Sequence, residues 1–268
     1  FLFVVLIGTI YPIIISAFNE SISIGPVYYN TILAPFVFIF LIVMSIGPLL
    51  KWTNYLGFNQ LYAFIIISFI SLIISFLIII LSRKYELILY LGLASSFVLI
   101  LTIVYEILKN IKSFNFFYYP RFLSHLGVGI FLVSVFLNSY YSKTKDFEIE
   151  LGEVKNFNNF SIKFINQNVY KINNYLEMKT DFEILEDKNK LFHLKPSVRR
   201  YLQPDQITSE TSIRPTIFSN YYLAINFPDL KNNIIGARYY YNFFIHGIWF
   251  GLILIVFGGI ISVFKKRV

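Results

Sequence analysis

The sequence predicts an α-helical polytopic membrane protein of about six transmembrane helices, with a small, mostly β external domain inserted between the last two. Three observations carry that prediction. Of the 268 residues, 56% are hydrophobic and 14% charged, against roughly 45–50% and about 25% in soluble domains. The apolar residues are gathered into runs of about 20, the length that crosses a bilayer. One polar stretch, 139–238, interrupts the runs with short alternating segments.

Six stretches have the length and composition of spans: about 1–18, 30–50, 61–82, 86–108, 117–138 and 240–263. The first lacks the basic flank and small-residue cleavage site of a signal peptide. It does not begin with Met, so the chain reads as a piece of something longer. Within 139–238, runs such as FEIEL (147–151) and FSIKF (160–164) alternate apolar and polar residues between Gly- and Asn-rich breaks. Alternation at period two is the signature of half-buried strands. The expected organisation is a five-helix membrane domain (1–138), an external β-domain (139–238), and a last helix with a basic inner tail (239–268).

Orientation follows from Lys and Arg near the span ends, which favour the inner side. With the N-terminus inside, inner segments hold Lys51, Lys109, Lys112, Arg121, Lys265, Lys266 and Arg267, whereas short outer loops hold only Arg83 and Lys84. The β-domain is then outside. It carries 14 Lys and Arg against 12 Asp and Glu, a mixed surface with no basic stripe for phosphates. The net charge of +8 therefore belongs mainly to helix flanks and does not signal nucleic-acid binding. With no cysteines, disulfides, thiolate metal sites and thiol catalysis within the chain are excluded.

Ionisable groups inside spans are functional candidates. His125 lies in span five within SHLGVG (124–129). Gly127 and Gly129 leave room for a flat ligand or for a neighbouring helix, so spacing leaves open an axial ligand of haem iron or a hydrogen-bonded packing histidine. His246 falls near the outer end of span six and reads as interfacial. Counting along the helices puts His125 roughly 20 Å deep and His246 roughly 10 Å, which argues against both gripping one haem. Glu106 stands three residues before Lys109 and fits an i,i+3 pair, with a proton relay as the alternative. Glu86 reads as interfacial and His193 as part of a surface strand.

The motifs LIGTIYPI (6–13), SISIGPVYYN (21–30), GPLLKW (47–52), SHLGVG (124–129), RRYLQPDQITSETSI (199–213) and IWFGLILIVFGG (248–259) occur in that order. The series resembles the C-terminal half of the CcmF/NrfE haem lyases, the membrane proteins that mature c-type cytochromes, and it spans essentially the whole chain. The resemblance implies a membrane haem b held between two histidines, with haem also the substrate attached covalently to apocytochrome c. His125 matches the second ligand position, so it would bind the haem iron. Arg199, Tyr201 and Glu210 match the family's Arg-x-Tyr and Thr-Glu pattern, with Ser209 in place of the usual Thr. Near span six, Phe243 follows Asn242 where Pro is frequent, and Gly247 replaces the first Trp of Trp-Ile-Trp.

The family's other membrane histidine and its tryptophan-rich WWD segment belong to an N-terminal half. Here the only tryptophans are Trp52 and Trp249, both in spans. The resemblance thus implies a split lyase, inactive without a separate N-terminal half. Its further partners are apocytochrome c and the haem-chaperone and thiol-handling components of the maturation system. The abundant Phe, Ile, Asn and Lys have A/T-rich codons. That suits a mitochondrial form in the inner membrane with its domain in the intermembrane space; a bacterial inner membrane with a periplasmic domain is the alternative. Two other classes compete: a non-catalytic accessory subunit of a respiratory assembly, and a transporter, which paired broken helices would mark.

Overall fold

A computed structural model describes residues 2–20, 22–50, 57–109, 119–157, 160–186, 189–226 and 234–264. Trp52 and five of the orientation residues (Lys51, Lys112, Lys265, Lys266 and Arg267) lie outside them. The chain divides into two units, 1–140 with 247–268 and 141–246.

The first unit is helical: α1 (Leu2–Ser16), α2 (Pro26–Ile46), α3 (Phe58–Ser82), α4 (Leu87–Lys109), α5 (Tyr119–Tyr141) and α6 (Ile245–Val263). Five of these are long and apolar enough to cross a membrane, and α1 is a shorter apolar helix of 15 residues. Their boundaries follow local chemistry. Pro26 opens α2, where its missing N–H costs no helical bond, and Gly47–Leu49 closes it as a 3-10 turn. At the start of α3 the Gly57 N–H donates to Gln60 Oε1 at 2.9 Å. The last helix starts five residues later than hydropathy predicts. The Tyr-rich run before it, apolar in composition, is drawn into a strand ladder instead.

Among the helices α4 is the most enclosed, with Leu89, Leu93, Leu99 and Ile103 buried. Leu41 of α2 and Phe122 of α5 join Leu99 and Ile103 in one apolar cluster. Buried Ser71, Ser75 and Ser96 each donate to the carbonyl one turn earlier, which satisfies a hydroxyl that lipid could not. Large apolar side chains such as Phe69, Phe76 and Phe257 point outward, as surfaces facing hydrocarbon do.

The second unit is a sandwich of two antiparallel sheets. The strands are β1 (Lys143–Glu150), β2 (Val154–Phe157), β3 (Phe160–Ile172), β4 (Tyr175–Glu186), β5 (Asn189–Leu194), β6 (Ser197–Leu202), β7 (Asp205–Glu210), β8 (Ser212–Pro215), β9 (Ser219–Ile225) and β10 (Ile234–Phe243). One sheet runs β1-β10-β9-β8, the other β2-β3-β4-β6-β7. The long β4 is shared lengthwise: Tyr175–Lys179 pairs β6, and Phe182–Glu186 pairs β5. The alternating runs behave as their period requires. Ile149 points inward between exposed Glu148 and Glu150, and Ile162 and Phe164 flank exposed Lys163. At the centre Phe164 stacks on Phe182 with centroids 4.6 Å apart, both fully buried. A bulge between Phe164 and Asn166 then shifts the β3–β4 register by one residue.

Candidate functional site

In the helical unit the site is built around His125, near the start of α5. Its Nδ1 lies 2.9 Å from the carbonyl oxygen of Arg121, one turn earlier. A carbonyl only accepts, so Nδ1 carries the proton and donates it. Nε2 is left with its lone pair. Among the described residues no hydrogen-bonding group meets Nε2, and the ring is half-buried. This is the tautomer that metal-binding histidines adopt, one nitrogen tied to a backbone carbonyl and the other directed outward.

The neighbouring glycines serve helix packing. A Cβ on Gly127 would sit 2.7 Å from the carbonyl oxygen of Gly251 and 2.9 Å from the backbone nitrogen of Ile255, both in α6. A Cβ on Gly129 would meet Ile100 of α4 at 2.5 Å. Of the two uses open to the pair, close approach of helices is the one found. A further glycine extends the α5–α6 seam: a Cβ on Gly258 would lie 2.7 Å from the Pro120 carbonyl and collide with the Ser124 hydroxyl.

Beneath His125 lies a charge pair. Arg121 Nη2 donates to Glu106 Oε1 at 2.6 Å, joining α5 to α4. The i,i+3 partner expected for Glu106 was Lys109. That ammonium instead lies 5.7 Å from the Tyr105 ring centroid, while the neighbouring helix supplies the Arg121 guanidinium within hydrogen-bond reach of the carboxylate.

The other histidines stand apart in role. His246 is the second residue of α6, and its Nε2 is enclosed without a hydrogen-bond partner among the described residues. Ser124, adjacent to His125, packs on Gly258, twelve residues beyond His246. Twelve residues is roughly 18 Å of helix, so the two imidazoles occupy different levels. His193 of β5 is held by the β4 carboxylates, with Nδ1 2.6 Å from Asp181 Oδ1 and Nε2 4.0 Å from Glu183 Oε1.

In the sandwich, strand register brings two of the three motif residues together around a carboxylate that sequence reasoning missed. Glu177 faces Arg199 across β4 and β6, and Tyr175 faces Tyr201. Arg199 Nε donates to Glu177 Oε1 at 2.9 Å and Nη1 to Glu210 Oε1 at 3.3 Å. Lys179 Nζ lies 3.5 Å from Glu177 Oε2. The Arg199 guanidinium also covers the Tyr175 ring at 5.4 Å, and Tyr201 contacts that ring at 5.3 Å.

Glu177 is only 3% exposed although it projects from the face opposite Met178. Burial pushes its carboxyl up, but the hydrogen bond from Arg199 and the charges of Lys179 and Arg199 outweigh that and hold it below the usual carboxylate range. Arg199 is raised in turn, chiefly by its bond to Glu177. The sequence did hold a signal: period-two alternation in YLEMKT (175–180) sets Tyr175, Glu177 and Lys179 on one face. It gave no means of pairing that face with β6.

Comparison with known proteins agrees with this architecture. The family described as the CcmF C-terminal β-sandwich matches residues 140–242. The cytochrome c-type biogenesis protein CcmF of Pseudomonas fluorescens is 22% identical over 98% of this chain and 41% of its own length. CcmF of Escherichia coli is 24% identical over the same shares. The chain thus spans about two-fifths of the curated relatives it matches. A solved structure, cytochrome c heme lyase CcmF, superposes with a TM-score of 0.74 at 16% identity, covering 98% of this chain and 43% of that one. Residues 140–242 therefore match the CcmF C-terminal β-sandwich, and the chain as a whole is similar to a C-terminal half of CcmF over nearly its whole length.

Proposed function

We propose that this chain is one component of a haem lyase that attaches haem to apocytochrome c, with His125 as one axial ligand of a membrane haem b. The observation that carries the reading is the Nδ1–H bond to the Arg121 carbonyl, 2.9 Å long, which leaves Nε2 as a lone-pair donor. The donor set fits such a group on one side only, through a single imidazole. A second ligand would come from a histidine of a separate N-terminal half, which the chain needs for activity.

A haem held there supplies electron transfer within the membrane. The chain's own residues do the positioning. The Arg121 carbonyl fixes the His125 tautomer, Glu106 anchors the Arg121 side chain, and α4 and α6 close the glycine faces of α5. The sandwich 139–238 faces outward and helps to position apocytochrome c, with Arg199, Tyr201 and Glu210 on its docking side. There the cysteine thiol adds across a vinyl group of the substrate haem, an addition that needs orientation more than acid–base chemistry from the protein. Haem-chaperone and thiol-handling components deliver the two reactants. The membrane is a mitochondrial inner membrane, with the sandwich in the intermembrane space.

The test is His125→Ala in the purified assembly, followed by the reduced visible spectrum. Loss of the haem b band is expected, and an unchanged band overturns the ligand assignment. One observation favours a second reading, an accessory subunit without haem: α6 and Ile100 of α4 pack directly against Gly127 and Gly129. Stoichiometric co-purification with respiratory subunits and no haem would support it.

A further inference from the structure

We infer that the turn joining β8 to β9, residues 216–219, is a membrane-dipping tip whose Ile217 and Phe218 side chains enter the interfacial zone of the lipid bilayer. The inference is independent of the haem-lyase reading and rests on three observations.

The first is connectivity. β1 begins at Lys143, two residues after α5 ends at Tyr141, and β10 ends at Phe243, two residues before α6 begins at Ile245. That end of the four-stranded sheet is therefore where the chain leaves and re-enters the bilayer. Register puts the turn at the same end: Ser219 pairs with Phe243, and the Phe244 N–H donates to the Phe218 carbonyl at 2.6 Å.

The second is exposure. Ile217 is 83% and Phe218 61% exposed, and an adjacent apolar pair on a turn tip gains free energy by leaving water. Phe218 stacks on Phe244 at 6.2 Å, and Phe243 meets Tyr141 edge-on at 5.7 Å. Aromatic residues gather at the headgroup level of a bilayer in this way.

The third is polar satisfaction. The Thr216 N–H and hydroxyl both donate to the Ser219 carbonyl at 2.8 Å, and the Ser219 N–H donates to the Thr216 hydroxyl at 3.2 Å. With the flanking Thr216 and Ser219 paired to each other, only the two tip residues keep backbone groups to be satisfied, and the interfacial zone still holds water for them.

The chain has no cysteine, so Ile217→Cys gives it a unique attachment point for an environment-sensitive fluorophore. The control is Leu151→Cys: Leu151 is also apolar and 50% exposed, but it follows the far end of β1. Both variants of the full chain are reconstituted into phosphatidylcholine vesicles with and without headgroup-level nitroxide lipid. At 217 the expected result is a blue-shifted emission, strong quenching by nitroxide lipid, and iodide quenching several-fold weaker than at 151. Equal iodide quenching at the two positions overturns the proposal by placing the turn in water. A 217 probe reached by neither quencher overturns it too, since protein would then cover the tip.

Discussion

Arg121 of α5 holds Glu106 of α4 at 2.6 Å while its carbonyl oxygen accepts the Nδ1–H of His125. One residue thus ties two apolar helices together and sets the tautomer of the candidate ligand. Charges in a membrane core are costly unless paired, so removing one partner does more harm than the contact alone would suggest. Glu106→Gln is expected to lower the stability of the purified protein by about 1–3 kcal/mol, the cost of losing one charged hydrogen bond in a partly enclosed pair. The check is the thermal midpoint in detergent, where Arg121→Lys keeps the charge and is expected to fall between the parent and Glu106→Gln.

The α5–α6 seam makes a sharper steric prediction. A Cβ on Gly251 would sit 2.6 Å from the Phe131 backbone nitrogen, so Gly251→Ala must push the helices apart. A loss of about 1–3 kcal/mol is expected, as for other overpacked sites. A Cβ on Gly259 would meet nothing within 4 Å, and Gly259→Ala is expected to be neutral in the same assay.

The Glu177–Arg199 pair governs how the sandwich responds to acid. A carboxyl held below its ordinary value of 4.5 contributes stability that is complete above that value and is lost as pH falls through the folded-state value. Removing the guanidinium leaves Lys179 alone to oppose burial, so the carboxyl rises. In Arg199→Gln, protection of 175–179 in hydrogen exchange, corrected for intrinsic rates, is expected to fail at higher pH than in the parent. Identical profiles would refute the pairing.

Core packing gives the largest expected effect. Phe182 is fully buried and stacks on Phe164, so Phe182→Ala removes a ring and leaves a cavity, costing about 3–5 kcal/mol. Leu151→Ala, at a half-exposed turn position, is expected to stay within about 0.5 kcal/mol. Urea titration followed by far-ultraviolet circular dichroism distinguishes the two.

Features that depend on residues near one another in sequence were legible in advance. The helices announce themselves because lipid selects long apolar runs, and β1 and β3 do so because Ile149 and Ile162 alternate with charged neighbours. Features that depend on tertiary neighbours were not. Glu106 finds Arg121 fifteen residues on, across a helix pair, so a rule for one helix pointed to Lys109. Glu177 finds Arg199 only through β4–β6 register. The extent of α6 was misjudged because Tyr239–Phe243 is apolar enough for a span, whereas β1 and β9 recruit it to a sheet. The role of Gly127 could not be fixed until Gly251 was seen against it.

β1 and β10 pair without interruption from Lys143↔Tyr241 to Glu150↔Ile234. Neighbouring strands lie about 5 Å apart, so the polypeptide departs and comes back through what amounts to a single narrow doorway. To the two helices it links, the sandwich is equivalent to a tight hairpin, however much chain is stored beyond the threshold. Such an insert can be enlarged, trimmed or exchanged for another module without rethreading a helix.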